Sequence, residues 1–251
     1  MDSPAALIDA SDVHPDWHNI LYESLNEMDL DYLESLHTDA NWLPGTANLL
    51  ASFRRSLSGV RFLLIGESPY PRPQSANGIA FYDAAVSELF SEQGLSKAVN
   101  RATSMRNLIK TMLIAEGFID KDEDGKIPQS TIAQLNKHDL IQTMPALFDK
   151  LERRGFLMLN ATPVLHAKRK PALDANYWLP FLQRFLALLA EQSSARVTLL
   201  LWGKIAAEIE KITPESAYHR IVCEHPYNVS FIDNPQMLDL FAELKLMQAT
   251  A

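Results

Sequence analysis

The chain of 251 residues is 47% hydrophobic and 22% charged, so it can bury a core and lacks the composition of a disordered chain. Its 31 acidic and 23 basic residues give a formal net charge of −8, but residues 1–58 hold ten of the acids and only two of the bases, which leaves residues 59–251 balanced with 21 of each. The acidic total therefore does not exclude a nucleic-acid partner for the later part of the chain, and it predicts that residues 1–58 lie away from one.

The acidic N-terminal segment, residues 1–58, is predicted to be mostly helical. Its clearest helical pattern covers residues 47–57, and Thr46 is a suitable N-cap because it follows Pro44 and Gly45. Beyond it, short apolar runs that end at breakers or polar residues predict buried strands at residues 60–65, 156–159, 197–202 and 220–224. Apolar residues at helical spacing predict helices at residues 104–115, 178–190 and 204–211.

Strands that alternate with helices predict a parallel sheet with crossover connections, covered on both faces. We therefore expect a three-layer α/β fold, in which a central four-stranded parallel sheet is flanked by helices. The polar stretch at residues 119–134 is interpreted as a surface insertion and not as a domain boundary, so residues 1–251 are interpreted as one domain.

The compartment is indicated by cysteine use and by the N-terminus. The chain has one cysteine, Cys223, so it cannot form an internal disulfide, and a reducing compartment is favoured. The N-terminus lacks the basic start of a signal peptide, and no apolar run reaches the ~20 residues of a membrane span. These features predict a cytoplasmic protein with no membrane partner.

The residues that follow the predicted strands point to a ligand pocket, because open parallel sheets bind ligands beyond the carboxyl ends of their strands. The first strand is followed by Gly-Glu-Ser-Pro-Tyr-Pro at residues 66–71 and by Phe81. The second ends at Asn160, and the fourth is followed by His-Pro-Tyr-Asn-Val-Ser at residues 225–230. By themselves these residues predict a pocket for a flat, polar heterocycle.

Their order and spacing resemble the motifs of the uracil-DNA glycosylase superfamily. Residues 66–70, with Phe81 thirteen residues after Ser68, resemble that family's Gly-Gln-Asp-Pro-Tyr and its phenylalanine at the same distance. Three strand or loop motifs match in the same way: Leu-Met-Leu-Asn-Ala at 157–161, Leu-Leu-Trp-Gly at 200–203, and the His-Pro loop at 225–230. Ser-Met-Arg-Asn at 104–107 is similar to its Ser-Leu-Lys-Asn helix start, and together the motifs span roughly residues 55–245.

The resemblance implies a pocket that reads a base flipped out of DNA. Phe81 would stack on the base, and the Asn160 amide would accept a hydrogen bond from N3–H and donate one to O4 of uracil. Tyr70 would occupy the space that the 5-methyl group of thymine needs. His225 would donate to O2 as negative charge develops on the leaving base.

The resemblance also implies DNA contacts around that pocket. Val229 takes the place of the family's wedge leucine, which fills the gap left by the flipped base. Ser104, Asn107 and Ser230 would contact the DNA backbone. Lys168, in the Lys-Arg-Lys run at residues 168–170, lies on the predicted ligand edge; the run is interpreted either as a phosphate-facing patch or as a solvated charge run.

One departure concerns catalysis directly. Where the family has the aspartate that orients the attacking water, this chain has Ser68, which cannot supply a negative charge. Glu67 replaces a glutamine and places a carboxylate one residue earlier, while Pro71 and Asn228 replace a histidine and a proline. Ser68, Glu67 and His225 are therefore the candidate catalytic residues.

We expect a DNA glycosylase that releases uracil or a related damaged base, acting as a monomer without a cofactor or metal. The alternative is a catalytically weak homologue that binds lesion-containing DNA or a flipped base. Residues 120–131 resemble the start of a calcium-binding loop, but Thr131 stands where such a loop has its bidentate glutamate, so a solvated turn is predicted.

Overall fold

The computed structural model describes residues 3–39, 41–193 and 195–249. Its helices are α1 Ser3–Ala10, α2 His18–Leu25, α3 Leu30–Thr38, α4 Lys97–Arg101, α5 Thr103–Ala115, α6 Gln129–Ala133, α7 Met144–Arg153, α8 Pro171–Gln192, α9 Ile205–Ile212 and α10 Pro235–Leu244. Its strands are β1 Trp42–Leu43, β2 Phe62–Gly66, β3 Phe90–Ser91, β4 Gly94–Leu95, β5 Phe156–Asn160, β6 Leu165–His166, β7 Thr198–Trp202 and β8 His219–Cys223. Within those ranges, each helix is too short or too polar to cross a membrane.

The main sheet is four-stranded and parallel, in the order β5-β2-β7-β8, and helices flank it in a three-layer α/β fold. Strand β2 lies between β5 and β7, and every residue of β2 and β5 is buried, as expected when both faces of a parallel sheet are covered. The predicted fold class is therefore confirmed. Each of the four predicted strands is present, with bounds that differ by at most two residues.

The predicted helix over residues 47–57 is wrong. The structure has two separate 3-10 turns there, Thr46–Asn48 and Ala51–Phe53. Side chains of this stretch bond to distant backbone atoms instead: the Ser52 hydroxyl donates to the Met158 carbonyl at 2.6 Å, and Arg54 Nε donates to the Ser11 carbonyl at 3.2 Å. These tertiary hydrogen bonds outweigh the helical preference of the local sequence.

The chain divides into two compact units. The first consists of Met1–Asp83 and Gly155–Ile221, and the second of Ala84–Arg154 and Val222–Ala251. The single-domain interpretation stays a prediction.

The acidic N-terminal segment is part of the core of the first unit. Its helices bury the apolar side chains of Trp17, Ile20 and Leu33 in the same cluster as Phe181 and Phe185 of α8. Asp9, Glu23, Asp31 and Glu34 are thus carried on helices whose apolar faces the first unit needs to fold.

Candidate active site

In the first unit, a glycine at the end of β2 makes room for Asn160. Gly66 and Asn160 are register partners at the carboxyl ends of β2 and β5. A Cβ atom at Gly66 would lie 2.8 Å from Asn160 Oδ1 and 3.0 Å from the Cβ of Ala80, which is too close for a real side chain. The glycine therefore lets a buried amide, 4% exposed, lie at the strand end.

Phe81 lies next to the same glycine. Its ring carbon Cε2 is 3.6 Å from the position that a Gly66 Cβ would take. The Phe81 backbone has φ of 63°, which is uncommon for a residue with a large side chain. The ring packs edge-on against Trp202 at the end of β7, with centroids 5.1 Å apart and planes at 70°. Such backbone strain is typical of functional sites, where the surrounding structure fixes it.

The turn that carries Phe81 is held by contacts to the sheet and to the segment before it. The Ala80 N–H donates to the Met158 carbonyl at 3.2 Å, and the Ser52 hydroxyl bonds to the Gly78 carbonyl at 3.3 Å. Gly78 has φ of 86°, and a Cβ there would lie 1.9 Å from the Asn48 carbonyl oxygen. A side chain at Gly78 would therefore displace the turn that positions the aromatic ring.

Tyr70 closes the loop between β2 and Phe81. Its hydroxyl donates to the Phe81 carbonyl at 3.3 Å. Burial, followed by the nearby Asp83 carboxylate, raises the pKa of Tyr70 to about 12, so its hydroxyl stays protonated at neutral pH. Arg72 Nη2 and Asp83 Oδ2 form an ion pair at 2.8 Å across the same loop.

Glu67 is the one carboxylate in the sequence of residues 66–71, and it directly precedes Ser68, the position at which the family resemblance implies an acid. Its side chain is exposed, and Ser68 is half-buried. The backbone beneath them is fixed to β5, because Ala161 N–H donates to the Gly66 carbonyl at 2.8 Å and Thr162 N–H donates to the Glu67 carbonyl at 3.0 Å. The loop thus has a fixed base from which Glu67 extends into solvent.

In the second unit, one ring nitrogen of His225 accepts a hydrogen bond from the backbone of its own loop. Its Nδ1 lies 3.0 Å from the Tyr227 N–H, which donates to it. A nitrogen that accepts a backbone N–H carries no proton, so this hydrogen bond assigns the neutral ring to the tautomer with its proton on Nε2. In that tautomer the ring is a donor through Nε2.

Asn107 supports the His225 loop from α5. Its side chain is 3% exposed, and its amide donates to the Pro226 carbonyl at 2.8 Å and to the Asn228 carbonyl at 3.4 Å. These hydrogen bonds hold the loop in place, and the DNA contact expected of Asn107 from the sequence stays a prediction.

The tip of the His225 loop projects into solvent. Val229 is 75% exposed and Tyr227 is 69% exposed. Ser230 is also exposed, and Ser104 is half-buried at the start of α5. In the first unit, Lys168 is exposed. Tyr227 and Val229 thus give this loop an exposed, partly apolar tip.

Sequence reasoning missed two features of the first unit. The Arg72–Asp83 ion pair could have been suspected from an aspartate two residues after Phe81. The edge-on packing of Trp202 against Phe81 had no sequence signal, since it depends on β7 lying beside β2 in the sheet.

Comparisons with known proteins agree on one family. No family model matches the sequence. The wild-type UNG crystal structure from Nitratifractor salsuginis is 35% identical with a TM-score of 0.89, and the match covers 96% of this chain and 95% of that chain. The uracil-DNA glycosylase of Streptococcus mutans is 21% identical over 222 residues, 86% of this chain and 85% of its own length. The uracil-DNA glycosylase of varicella-zoster virus is 23% identical over 226 residues. That match covers 87% of this chain but only 62% of the length of the viral protein.

Proposed function

The chain belongs to the uracil-DNA glycosylase superfamily, and from this membership we propose that it hydrolyses the N-glycosidic bond of uracil, or of a related damaged base, in DNA. The observation that carries the proposal is the grouping of Asn160, Phe81 and Tyr70 around the Gly66 strand end. An amide, an aromatic ring and a neutral phenol in one place suit a flat base with polar edges.

Base selection follows from the chemistry of these three side chains. The Asn160 amide would accept from N3–H and donate to O4 of uracil, whereas cytosine presents the reverse arrangement of donor and acceptor. Phe81 offers an aromatic ring for stacking. Tyr70 would exclude a 5-methyl group by steric clash, which separates uracil from thymine.

The leaving base needs stabilisation of negative charge. As the bond from C1′ of the sugar to N1 of uracil breaks, the electron pair moves onto the base and into its O2 carbonyl. We assign His225 the role of donor to O2, because its neutral tautomer carries the proton on Nε2. A hydrogen-bond donor directed at O2 would stabilise the developing oxyanion.

The sugar becomes positively charged in the same step and is then attacked by water. The oxygen of water bonds to C1′, and its proton passes to a base. With serine at position 68, Glu67 is our candidate for that base and for electrostatic stabilisation of the cation. Glycosidic cleavage with a good leaving group is dissociative, so stabilisation of the departing base supplies much of the rate.

DNA contacts are proposed for exposed and half-buried groups. Val229 is proposed to enter the gap in the base stack, and Tyr227 beside it offers a second apolar surface. Ser104, Ser230 and Lys168 are proposed to contact phosphates, which position the strand without reading sequence.

The test is single-turnover excision with enzyme in excess over labelled oligonucleotides that carry uracil, hypoxanthine, xanthine or a thymine mismatch. We expect uracil release from single- or double-stranded DNA, at least roughly tenfold faster than from any thymine substrate. The matched control is Ser193→Ala, a substitution outside the proposed site. Binding of uracil-containing DNA with no release of any base would contradict the proposal and favour a binding homologue.

A further inference from the structure

The first unit contains a second pocket, distinct from the Gly66 strand end. Its volume is about 600 Å³, which is within the usual range for a small-molecule site. It is lined by Asn41, Trp42, Leu43, Pro71, Pro73, Leu165, His166, Ala167, Arg169 and Pro171. Most of these side chains are apolar, and four of them, those of Asn41, Trp42, His166 and Arg169, carry hydrogen-bonding groups.

We call this second pocket the flanking pocket, because residues that line it are close along the chain to the proposed base-binding residues. One wall is formed by Pro71, whose Cα lies one peptide unit, about 3.8 Å, from that of Tyr70. Another is formed by the antiparallel pair of β1 and β6, and β6 begins five residues after Asn160. A strand whose flipped base reached Tyr70 and Asn160 would therefore place a neighbouring nucleotide within reach of this pocket.

The polar side of the flanking pocket is rigid. Asp174 is fully buried and accepts hydrogen bonds from Tyr32 at 3.1 Å and Arg169 at 3.2 Å, and its other oxygen lies 2.9 Å from His166 Nδ1. Trp178 Nε1 donates to the Tyr32 hydroxyl at 3.0 Å. Groups held this way lose little conformational freedom when they bind a ligand.

Two members of this network retain hydrogen-bonding capacity. His166 is 7% exposed, and its Nε2 has no hydrogen-bond partner among the residues that the structure describes. Arg169 uses Nη1 for Asp174, and its guanidinium group lies 5.7 Å from the centre of the Tyr32 ring. A guanidinium has five N–H donors, so Arg169 has donors left for an anionic or carbonyl oxygen.

Basic residues flank the pocket-lining residue Arg169 along the chain. Lys168 and Lys170 are exposed on either side of Arg169, whose own charge is balanced by Asp174. Asp39 interacts electrostatically with the same network, because hydrogen bonds from Asn41, followed by the charges of His166 and Arg169, lower its pKa. Because Lys168 and Lys170 are both exposed, they are the candidate contacts for a phosphate beside this pocket.

We propose that the flanking pocket binds one nucleotide of the DNA strand, next to the nucleotide that is flipped. Its base would lie against the proline and leucine side chains, its polar edge would meet His166 or Arg169, and its phosphate would lie between Lys168 and Lys170. The inference rests on the proposed function and adds a nucleotide subsite to it.

The first experiment measures binding and not catalysis, using fluorescence anisotropy with single-stranded oligothymidylate that contains no uracil. Ala167→Trp would fill the pocket from its exposed edge, and we expect it to weaken binding by at least about fivefold, the low end of what one base contact contributes. The matched control is Ala175→Trp, at an exposed position of α8 outside the pocket lining, and it should bind like the wild type.

A second variant covers the case in which Ala167→Trp lowers the melting temperature. Replacing Lys168 and Lys170 by alanine changes only exposed side chains. It should reduce the dependence of log affinity on log salt by about 0.7 for each phosphate that a lysine no longer neutralises. Lys211→Ala, an exposed lysine paired with Glu208, should leave that slope unchanged.

The second experiment separates the subsite from the proposed function. Uracil oligonucleotides lacking the nucleotide on the 5′ or the 3′ side should be cleaved more slowly by the wild type, and Ala167→Trp should abolish that difference for one of the two sides. Wild-type excision with unchanged binding and unchanged length dependence in Ala167→Trp would overturn the subsite alone. Pocket-dependent binding without any excision would overturn the proposed function and leave the subsite standing.

Discussion

At the scale of single residues, the base-reading role proposed for Asn160 gives the sharpest test. We predict that Asn160→Asp lowers single-turnover uracil excision by at least roughly a hundredfold, because a carboxylate cannot donate to O4 and leaves a buried polar mismatch. The same assay with cytosine-containing DNA is the complementary measurement, since a carboxylate can accept from the cytosine amino group. Uracil excision at the wild-type rate would remove Asn160 from base recognition.

The missing aspartate leads to a second prediction at this scale. If Glu67 is the working acid, Glu67→Gln should reduce excision by about 100-fold or more, the lower range of general-base assistance. Ser68→Asp should then add little, because two adjacent carboxylates raise the pKa of one of them.

The opposite outcome would place the functional charge at position 68 and not at Glu67. If Glu67→Gln is silent and Ser68→Asp accelerates excision at least tenfold, the charge acts at position 68, and the wild-type enzyme works without it. Two silent substitutions would show that neither position faces the sugar.

At the scale of secondary-structure elements, the end of α5 holds the C-terminal segment through a carboxyl group. Glu116, which caps α5, accepts a hydrogen bond from Met247 N–H at 2.7 Å, and Lys150 Nζ donates to the neighbouring Gln248 carbonyl. Burial is the main cause that raises the pKa of Glu116 from 4.5 to about 7. The folded protein therefore binds a proton at pH values where the unfolded chain has released it.

The sign of the pH dependence follows from that difference. Because the folded state holds more protons between about pH 4.5 and 7, the contribution of Glu116 to the free energy of unfolding decreases as pH rises through this range and is constant above it. We predict that Glu116→Gln removes this part of the pH dependence, since its amide oxygen can still accept from Met247. The measurement is the difference in the free energy of unfolding between pH 5 and pH 8, obtained from urea unfolding of the wild type and the variant.

The control for Glu116 is an exposed glutamate of the same unit. Glu123→Gln removes one carboxylate without removing a buried one, so it should retain the wild-type difference between the two pH values. An unchanged difference in Glu116→Gln would show that its carboxyl is ionised throughout.

At the scale of the whole molecule, the acidic N-terminal segment combines a structural face with a charged face. Deleting residues 1–38 would remove Trp17, Ile20 and Leu33 from the core of the first unit, and we expect the truncated chain to lose its cooperative thermal transition. Circular dichroism on heating measures this. A truncated chain that melts like the full one would show that the segment is dispensable for folding.

The charged face is tested without deletion. Asp9, Glu27 and Asp31 are exposed, so replacing them by their amides keeps the apolar packing and removes three negative charges. We predict DNA affinity equal to or higher than that of the wild type at low salt, and no difference at high salt, because exposed charges far from the strand act only through screened repulsion. Weaker binding would mean that the segment contacts DNA.

The sequence by itself determined the sheet and the order of its strands along the chain. Short apolar runs ending in breakers are strong local signals, since a strand buried on both faces requires continuous apolar residues. The motifs at the strand ends likewise predicted that Asn160, Phe81 and Tyr70 lie near one strand end, and the structure places them there.

Tertiary structure alone decided the turns, the loop contacts and the flanking pocket, because these features depend on contacts between residues distant in the sequence. Residues 47–57 have helical spacing, yet Ser52 and Arg54 bond to carbonyls remote in sequence and break that helix into turns. Asn107 supports the His225 loop only because α5 lies behind it. The flanking pocket exists only because β1 pairs with β6, which are more than 100 residues apart along the chain. No local sequence pattern specifies these contacts between distant residues, since they stabilise the protein only once the core is packed.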